Sequence, residues 1–164
     1  DGWPQHIANV AWALAKMNVQ APHFAKAIDK EAVVGYLFKE GKTKDLGITI
    51  WSMATLGHQV PNLAKAMDSE EVVKKLTVGD GTPADISNTI WAMATLGYPM
   101  DNLIRMIDTD QVVMKLVKEG KAEDFVTTIW SIATLGQTAP TLAKAMERND
   151  VSIYFHNQGT MQEF

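Results

Sequence analysis

Four tryptophans, Trp12, Trp51, Trp91 and Trp130, recur at intervals of 39, 40 and 39 residues. Each lies in a version of one phrase: NVAWALAKMNV from Asn9, ITIWSMATLGH from Ile48, NTIWAMATLGYP from Asn88 and TTIWSIATLGQ from Thr127. Other columns keep step. Ile7, Leu46, Ile86 and Phe125 stand five before the Trp, and Phe24, Leu63, Leu103 and Leu142 twelve after it. Val33, Val72, Val112 and Val151 fall twenty-one after, and Leu37, Leu76, Leu116 and Phe155 twenty-five after. Self-similarity at a fixed period of this size is the mark of a tandem array, whose units bury their apolar faces only by stacking.

The period inside each unit is helical. Ile86, Ile90, Met93, Ala94 and Gly97 fall on one side of a wheel that Trp91 widens. Thr82-Pro83-Ala84-Asp85 supplies a capping hydroxyl, a first-turn proline and an acid near the positive end of the helix dipole. Asp45 and Asp124 stand where Asp85 does. Six residues after each Trp come Asn18, Gly57, Gly97 or Gly136, the residue types that tolerate a left-handed helix stop. Pro22, Pro61 and Pro140 then open a return segment, while the third unit places Pro99 two positions early. Asp68-Ser69-Glu70 and Asp108-Thr109-Asp110 resemble a fresh helix start within that segment. Two helices per unit are expected, with a long helix and two short ones as the alternative. Gly41, Gly79, Gly81 and Gly120 mark the turns between units, and the extra residue of the 40-residue interval is expected in TVGDGTP, residues 77–83. The expected fold is all-α, a single α-solenoid domain over 1–164 built from four tandem helical-hairpin repeats of about 39 residues, an α-α superhelix. The repeats run at about 4–42, 43–81, 82–121 and 122–156, with a tail at 157–164.

Chemistry is sparse by comparison. Zero cysteines exclude disulfides, thiolate nucleophiles and cysteine metal sites. His6, His23, His58 and His156 keep no metal-ligand spacing, and no nucleophile elbow, phosphate loop or paired-carboxylate motif is present. A non-enzymatic chain without cofactor, metal or small-molecule substrate is expected. Its longest apolar runs fall short of a membrane span. A net charge of −4 and a pI near 5.5 argue against a broad basic footprint for nucleic acid.

Binding is left. The tryptophan column fits an inter-repeat packing ridge better than a platform for stacked bases, because each indole sits among apolar and small neighbours. Lys26, Lys65, Arg105 and Lys144 form a basic column, but Asp29, Asp68, Asp108 or Glu147 follows three residues later, so a self-paired helix face is expected. The surface strip of the first helix holds residues three before, one after and four after each Trp. These are Asn9, Ala13 and Lys16, then Ile48, Ser52 and Thr55, then Asn88, Ala92 and Thr95, and finally Thr127, Ser131 and Thr134. Small, mostly neutral side chains of this kind suit a groove for a protein segment, or the reading of bases one unit at a time. Val151, Ile153, Tyr154 and Phe155 make an apolar finish to the last unit, from which either further repeats or an end that docks on a partner is expected.

The stretch PQHIANVAWALAKM, Pro4 to Met17, resembles the signature helix of the octotricopeptide repeats, helical units of about 38 residues with a Pro-Gln, Ala-Asn, Trp-Ala-Leu-Ala pattern. The other units keep the Trp and an ATLG ending but lack the Pro-Gln. That resemblance implies an organellar α-solenoid, in chloroplast or mitochondrion, whose relatives bind organellar RNA or are embedded in large assemblies. Two functions follow as expectations. The first is a scaffold or accessory subunit docked among the proteins of a large organellar assembly, a ribonucleoprotein or a bioenergetic complex. The second is a direct RNA-binding factor for transcript maturation, stability or translation.

Overall fold

The computed structural model of the chain describes residues 2–148 and 151. Among them are eleven helices and no strand. The first unit supplies α1 (Trp3–Lys16), α2 (Pro22–Ile28) and α3 (Glu31–Glu40). The second supplies α4 (Thr43–Leu56), α5 (Pro61–Met67) and α6 (Glu70–Thr77), and the third α7 (Pro83–Leu96), α8 (Asp101–Ile107) and α9 (Asp110–Glu119). In the fourth, α10 (Ala122–Thr134) is followed by α11 (Pro140–Ala145).

In the first three units the two-helix reading is therefore corrected to the alternative, one long helix and two short ones. The reason is local: Lys30, Ser69 and Thr109 adopt extended backbone between the short helices. At Thr109 the hydroxyl oxygen accepts the Val112 N–H, which caps the start of the next helix.

Starts and stops of the long helices follow their chemistry. Thr82 Oγ1 accepts the Asp85 N–H at 3.2 Å, and the Asp85 carboxylate takes the Thr82 N–H at 2.9 Å. Asp45 and Asp124 make the second of these bonds, from the Lys42 N–H at 3.2 Å and the Lys121 N–H at 2.9 Å. At the other end Asn18, Gly57, Gly97 and Gly136 have φ of 52°, 73°, 77° and 69°, the only positive values among the described residues. A Cβ on Gly57 or Gly97 would meet nothing within 4 Å, so glycine is there for its conformational freedom and not for space. Residues 78–82 join α6 to α7, whereas two residues suffice between α3 and α4 and between α9 and α10, so the extra residue does lie in this link.

The long helices pack in a row, α1 on α4, α4 on α7 and α7 on α10. Short helices form a second layer in which α3 meets α5, α6 meets α8 and α9 meets α11. Leu46, Ile50, Met53, Ile86, Ile90 and Met93 are almost fully buried. Burying side chains of this size contributes about 1.5–3 kcal/mol each. Within the row the contacts are made by small residues. A Cβ on Gly47 of α4 would lie 3.6 Å from both the Asp85 carbonyl and the Thr89 hydroxyl of α7. Thr49, Ser52, Thr89, Ala92, Thr128 and Ser131 are all buried. Among the described residues no helix is long and apolar enough to cross a membrane.

Candidate functional site

Because small residues let the long helices approach closely, the indoles lie at the edge of the contact rather than at its centre. Trp12 and Trp130 are 47% and 56% exposed, and Trp51 and Trp91 are half-buried. The structural packing ridge expected of all four tryptophans is corrected at Trp12 and Trp130, which are exposed, while Trp51 and Trp91 rest against the core beneath. The Trp51 and Trp91 rings do meet across the α4–α7 contact, with centroids 6.3 Å apart and planes tilted by 37°. One step earlier, the Lys16 ammonium stands 5.7 Å from the Trp12 ring centroid and 5.9 Å from that of Trp51. A cation therefore sits over two successive indoles, within the range where the ring quadrupole attracts it.

The rest of the strip divides in two. Asn9, Lys16, Thr55, Thr95 and Thr134 are exposed, and Ile48, Asn88 and Thr127 are half-buried beside the indoles. Ser52 and Ser131 are not on this face. Both are fully buried, and their hydroxyls donate to the Ile48 and Thr127 carbonyls at 2.7 Å. The position after the Trp turns about 100° around the helix and into the neighbouring long helix, where only a small side chain fits. Ala92, in the same column, is buried in the same way.

Three clefts cross the row. Asn9 and Ile48 share one of about 240 Å³ with Glu40, Lys42 and Lys44. Ile48 and Asn88 share the next, about 490 Å³, with Lys44, Asp80 and Asp85. Trp51, Asn88, Trp91 and Thr127 line the third, about 230 Å³, together with Glu123 and Asp124. Residues three before each Trp thus fall on one face, each shared with its neighbour. Lys42 and Lys44 are outnumbered there by Glu40, Asp45, Asp80, Asp85, Glu123 and Asp124.

The acidic column does something else. Its expected pairing with the cation three residues earlier is corrected, because the carboxylates reach across to the next unit. Asp29 accepts the Leu63 N–H at 2.8 Å and the Asn62 N–H at 3.3 Å, while the Asn62 amide donates to the Asp29 carbonyl at 2.8 Å. Asp68 repeats all three contacts with Leu103 and Asn102, and Asp108 accepts the Leu142 N–H at 2.9 Å. Each carboxylate thereby satisfies orphan donors in the first turn of the following short helix. Burial pushes the Asp68 carboxyl above the usual carboxylate range, against the opposing pull of the Leu103 and Asn102 N–H groups. Lys26, Lys65 and Lys144 are left exposed, and the Arg105 guanidinium lies 3.9 Å from Glu70 rather than on Asp108.

Further joints went unread in the sequence. Lys75 donates to the Gly41 carbonyl at 2.8 Å, and Lys115 donates to the Gly81 and Thr77 carbonyls, so each reaches back to the preceding unit. Both lie twenty-four after their Trp, a recurrence that marks them once noticed. His58 Nε2 accepts the Ala21 N–H and the Tyr98 hydroxyl accepts the Val60 N–H, each at 3.1 Å, from the column seven after the Trp. Burial pushes the Tyr98 phenol up. At the first unit Ile7, Phe24 and Val33, whose counterparts Leu46, Leu63 and Val72 are buried, line an open cavity of about 600 Å³ with Trp3 and Tyr36. Among the described residues no three His, Asp or Glu side chains are grouped to hold a metal. Ile153, Tyr154 and Phe155, the expected docking end, lie outside the described residues, while Val151 beside them is buried. Compared with protein-family models, curated proteins and solved structures, the chain matches none.

Proposed function

We propose that the chain is a non-catalytic α-solenoid of four octotricopeptide-like units that docks other proteins onto the face of its long helices. In this reading it is a scaffold or accessory subunit of a large organellar assembly in chloroplast or mitochondrion, a ribonucleoprotein or a bioenergetic complex. The observation that carries the reading is the half-buried to exposed indoles of the row, two of which, Trp51 and Trp91, line one of three clefts in which carboxylates outnumber lysines. Aromatic anchors are what protein interfaces use, and a surplus of carboxylates does not attract phosphate. Clefts formed by residues of two units at a time exist only in the stacked array, which ties binding to the repeats.

A second reading, direct binding of organellar RNA, is favoured by one observation, the exposure of Trp12 and Trp130 as stacking surfaces. One experiment separates them. The purified chain is titrated with transcripts of the organelle at low and raised salt, and native extract is separated by size with the chain followed by antibody. Docking predicts migration with a large complex, lost on Asn88→Ala with Trp91→Ala, and no salt-steep RNA binding. A chain that migrates alone and binds RNA at low salt would reverse the ranking.

A further inference from the structure

We infer that the step between Trp51 and Trp91 is a receptor for a partner's arginine or lysine side chain, seated as Lys16 is seated at the step before it. The inference rests on the docking reading and names the chemistry of what docks.

Lys16 shows what the indole row takes. Its ammonium lies over Trp12 and over Trp51 of the next unit at nearly equal distance, bridging two units. In the repeat, Thr55 occupies the position of Lys16 for the Trp51–Trp91 step. Thr55 carries no charge, and its hydroxyl donates to the Trp51 carbonyl at 2.9 Å. The array thus supplies its own cation at the first step and leaves the second to another molecule.

The surroundings of the second step set the sign of that molecule. The cleft of about 230 Å³ lined by Trp51 and Trp91 runs on to α10 and is bordered by Glu123 and Asp124, and the neighbouring cleft at Ile48 and Asn88 sets Asp80 and Asp85 against Lys42 and Lys44. Asp124 is already engaged, accepting from the Ser87 hydroxyl at 3.1 Å and the Lys121 N–H at 2.9 Å, whereas Glu123 is exposed. An anion in the first of these would face two carboxylates, with Lys42 and Lys44 lying in the neighbouring cleft and not in its lining. A cation gains from the carboxylates and the ring faces together. Asn88 and Thr127 supply neutral hydrogen-bonding groups at the rim, suited to the five donors of a guanidinium. The occupant is therefore a basic segment of a partner protein, with arginine as the better fit.

The test uses the whole chain and a synthetic peptide of three Arg-Gly-Ser triplets, with a peptide carrying citrulline in place of each arginine as the uncharged control. Binding is followed by NMR at the indole N–H signals, assigned by Trp51→Phe and Trp91→Phe. The arginine peptide should shift the Trp51 and Trp91 signals saturably, and binding should weaken with salt. The citrulline peptide should bind about five- to tenfold more weakly, the size of a partly desolvated cation–π contact. Thr55→Lys provides the decisive variant, because Thr55 is exposed and its replacement leaves the core alone. It should shift the same two indole signals without peptide and cut peptide affinity about five- to tenfold. Equal binding of both peptides, or undiminished binding to Thr55→Lys, overturns the inference. So does a shift confined to Trp3 or Trp12. Migration in native extract reads the docking proposal separately: a chain that stays in a large complex but ignores arginine retains its scaffold role and loses only this receptor.

Discussion

Asp68→Ala tests a joint between the short helices of successive units, from the end of α5 to the first turn of α8. The carboxylate accepts two N–H groups of the next unit, at 2.8 Å from Leu103 and 3.3 Å from Asn102. Alanine would leave both donors in the first turn of α8 without this acceptor. Replacing a capping side chain by alanine costs about 0.5–2 kcal/mol. The half-buried carboxylate already bears a desolvation penalty that disappears with it, so about 1.5 kcal/mol is the expected loss, or a fall in Tm of about 3–6 °C. Urea unfolding followed by circular dichroism measures it, with Asp80→Ala as an exposed control that should stay within about 0.5 kcal/mol. Asp68→Asn, which keeps one acceptor and drops the charge that burial opposes, should lose less than Asp68→Ala. The pH dependence has a definite sign. Because the folded carboxyl is raised, the folded state holds the proton at pH values where the unfolded chain has released it, and stability from this group grows as pH falls through that window. Wild type should therefore gain on Asp68→Asn on acidification from neutral. A loss under about 0.3 kcal/mol for Asp68→Ala, or the opposite pH trend, would refute the joint as drawn.

Other expectations follow from single contacts. Gly57→Ala should cost about 1 kcal/mol because its φ of 73° is left-handed, and Gly57→Asn should cost less, since Asn18 fills that column in the first unit; thermal unfolding of the two variants side by side decides it. Ser52→Ala should be neutral within about 0.5 kcal/mol and leave every binding property unchanged, because the hydroxyl is buried on its own helix and Ala92 already occupies the column. Thr89 Oγ1 is buried and has no hydrogen-bond partner among the described residues, so Thr89→Val, nearly the same shape, should stabilise by about 1 kcal/mol in urea; a loss of that size would show that the hydroxyl is bonded.

Much of the fold could be read before the structure was known. The helix stops were fixed by one physical demand, a left-handed backbone that only glycine and asparagine meet cheaply, and all four positions obey it. Capping acids at Asp45, Asp85 and Asp124 were equally local. What misled was size. The wheel placed bulky indoles inside and small hydroxyls outside, whereas close packing of long helices needs small residues at the contact and expels the indole. Ser52 and Ser131 went in and Trp12 and Trp130 came out for the same reason. The acidic column failed differently. Asp29 and Asp68 sit three residues after a lysine, which is enough for a pair on one helix, but their partners lie 33 to 35 residues on, beyond any single-helix argument. Asn62 and Asn102, both eleven after their Trp, were the available clue.

Lysines happen to label the two sides of the molecule. Lys16, Lys42 and Lys44 border the indole row and its clefts, while Lys26, Lys65 and Lys144 lie on the short helices. Lysine-directed cross-linking in native extract, read by mass spectrometry, therefore shows which face holds the partner. Docking on the long-helix row predicts links from Lys16, Lys42 and Lys44 to a partner protein and few from the other three. Links concentrated at Lys26, Lys65 and Lys144, with the first set free to react, would contradict it.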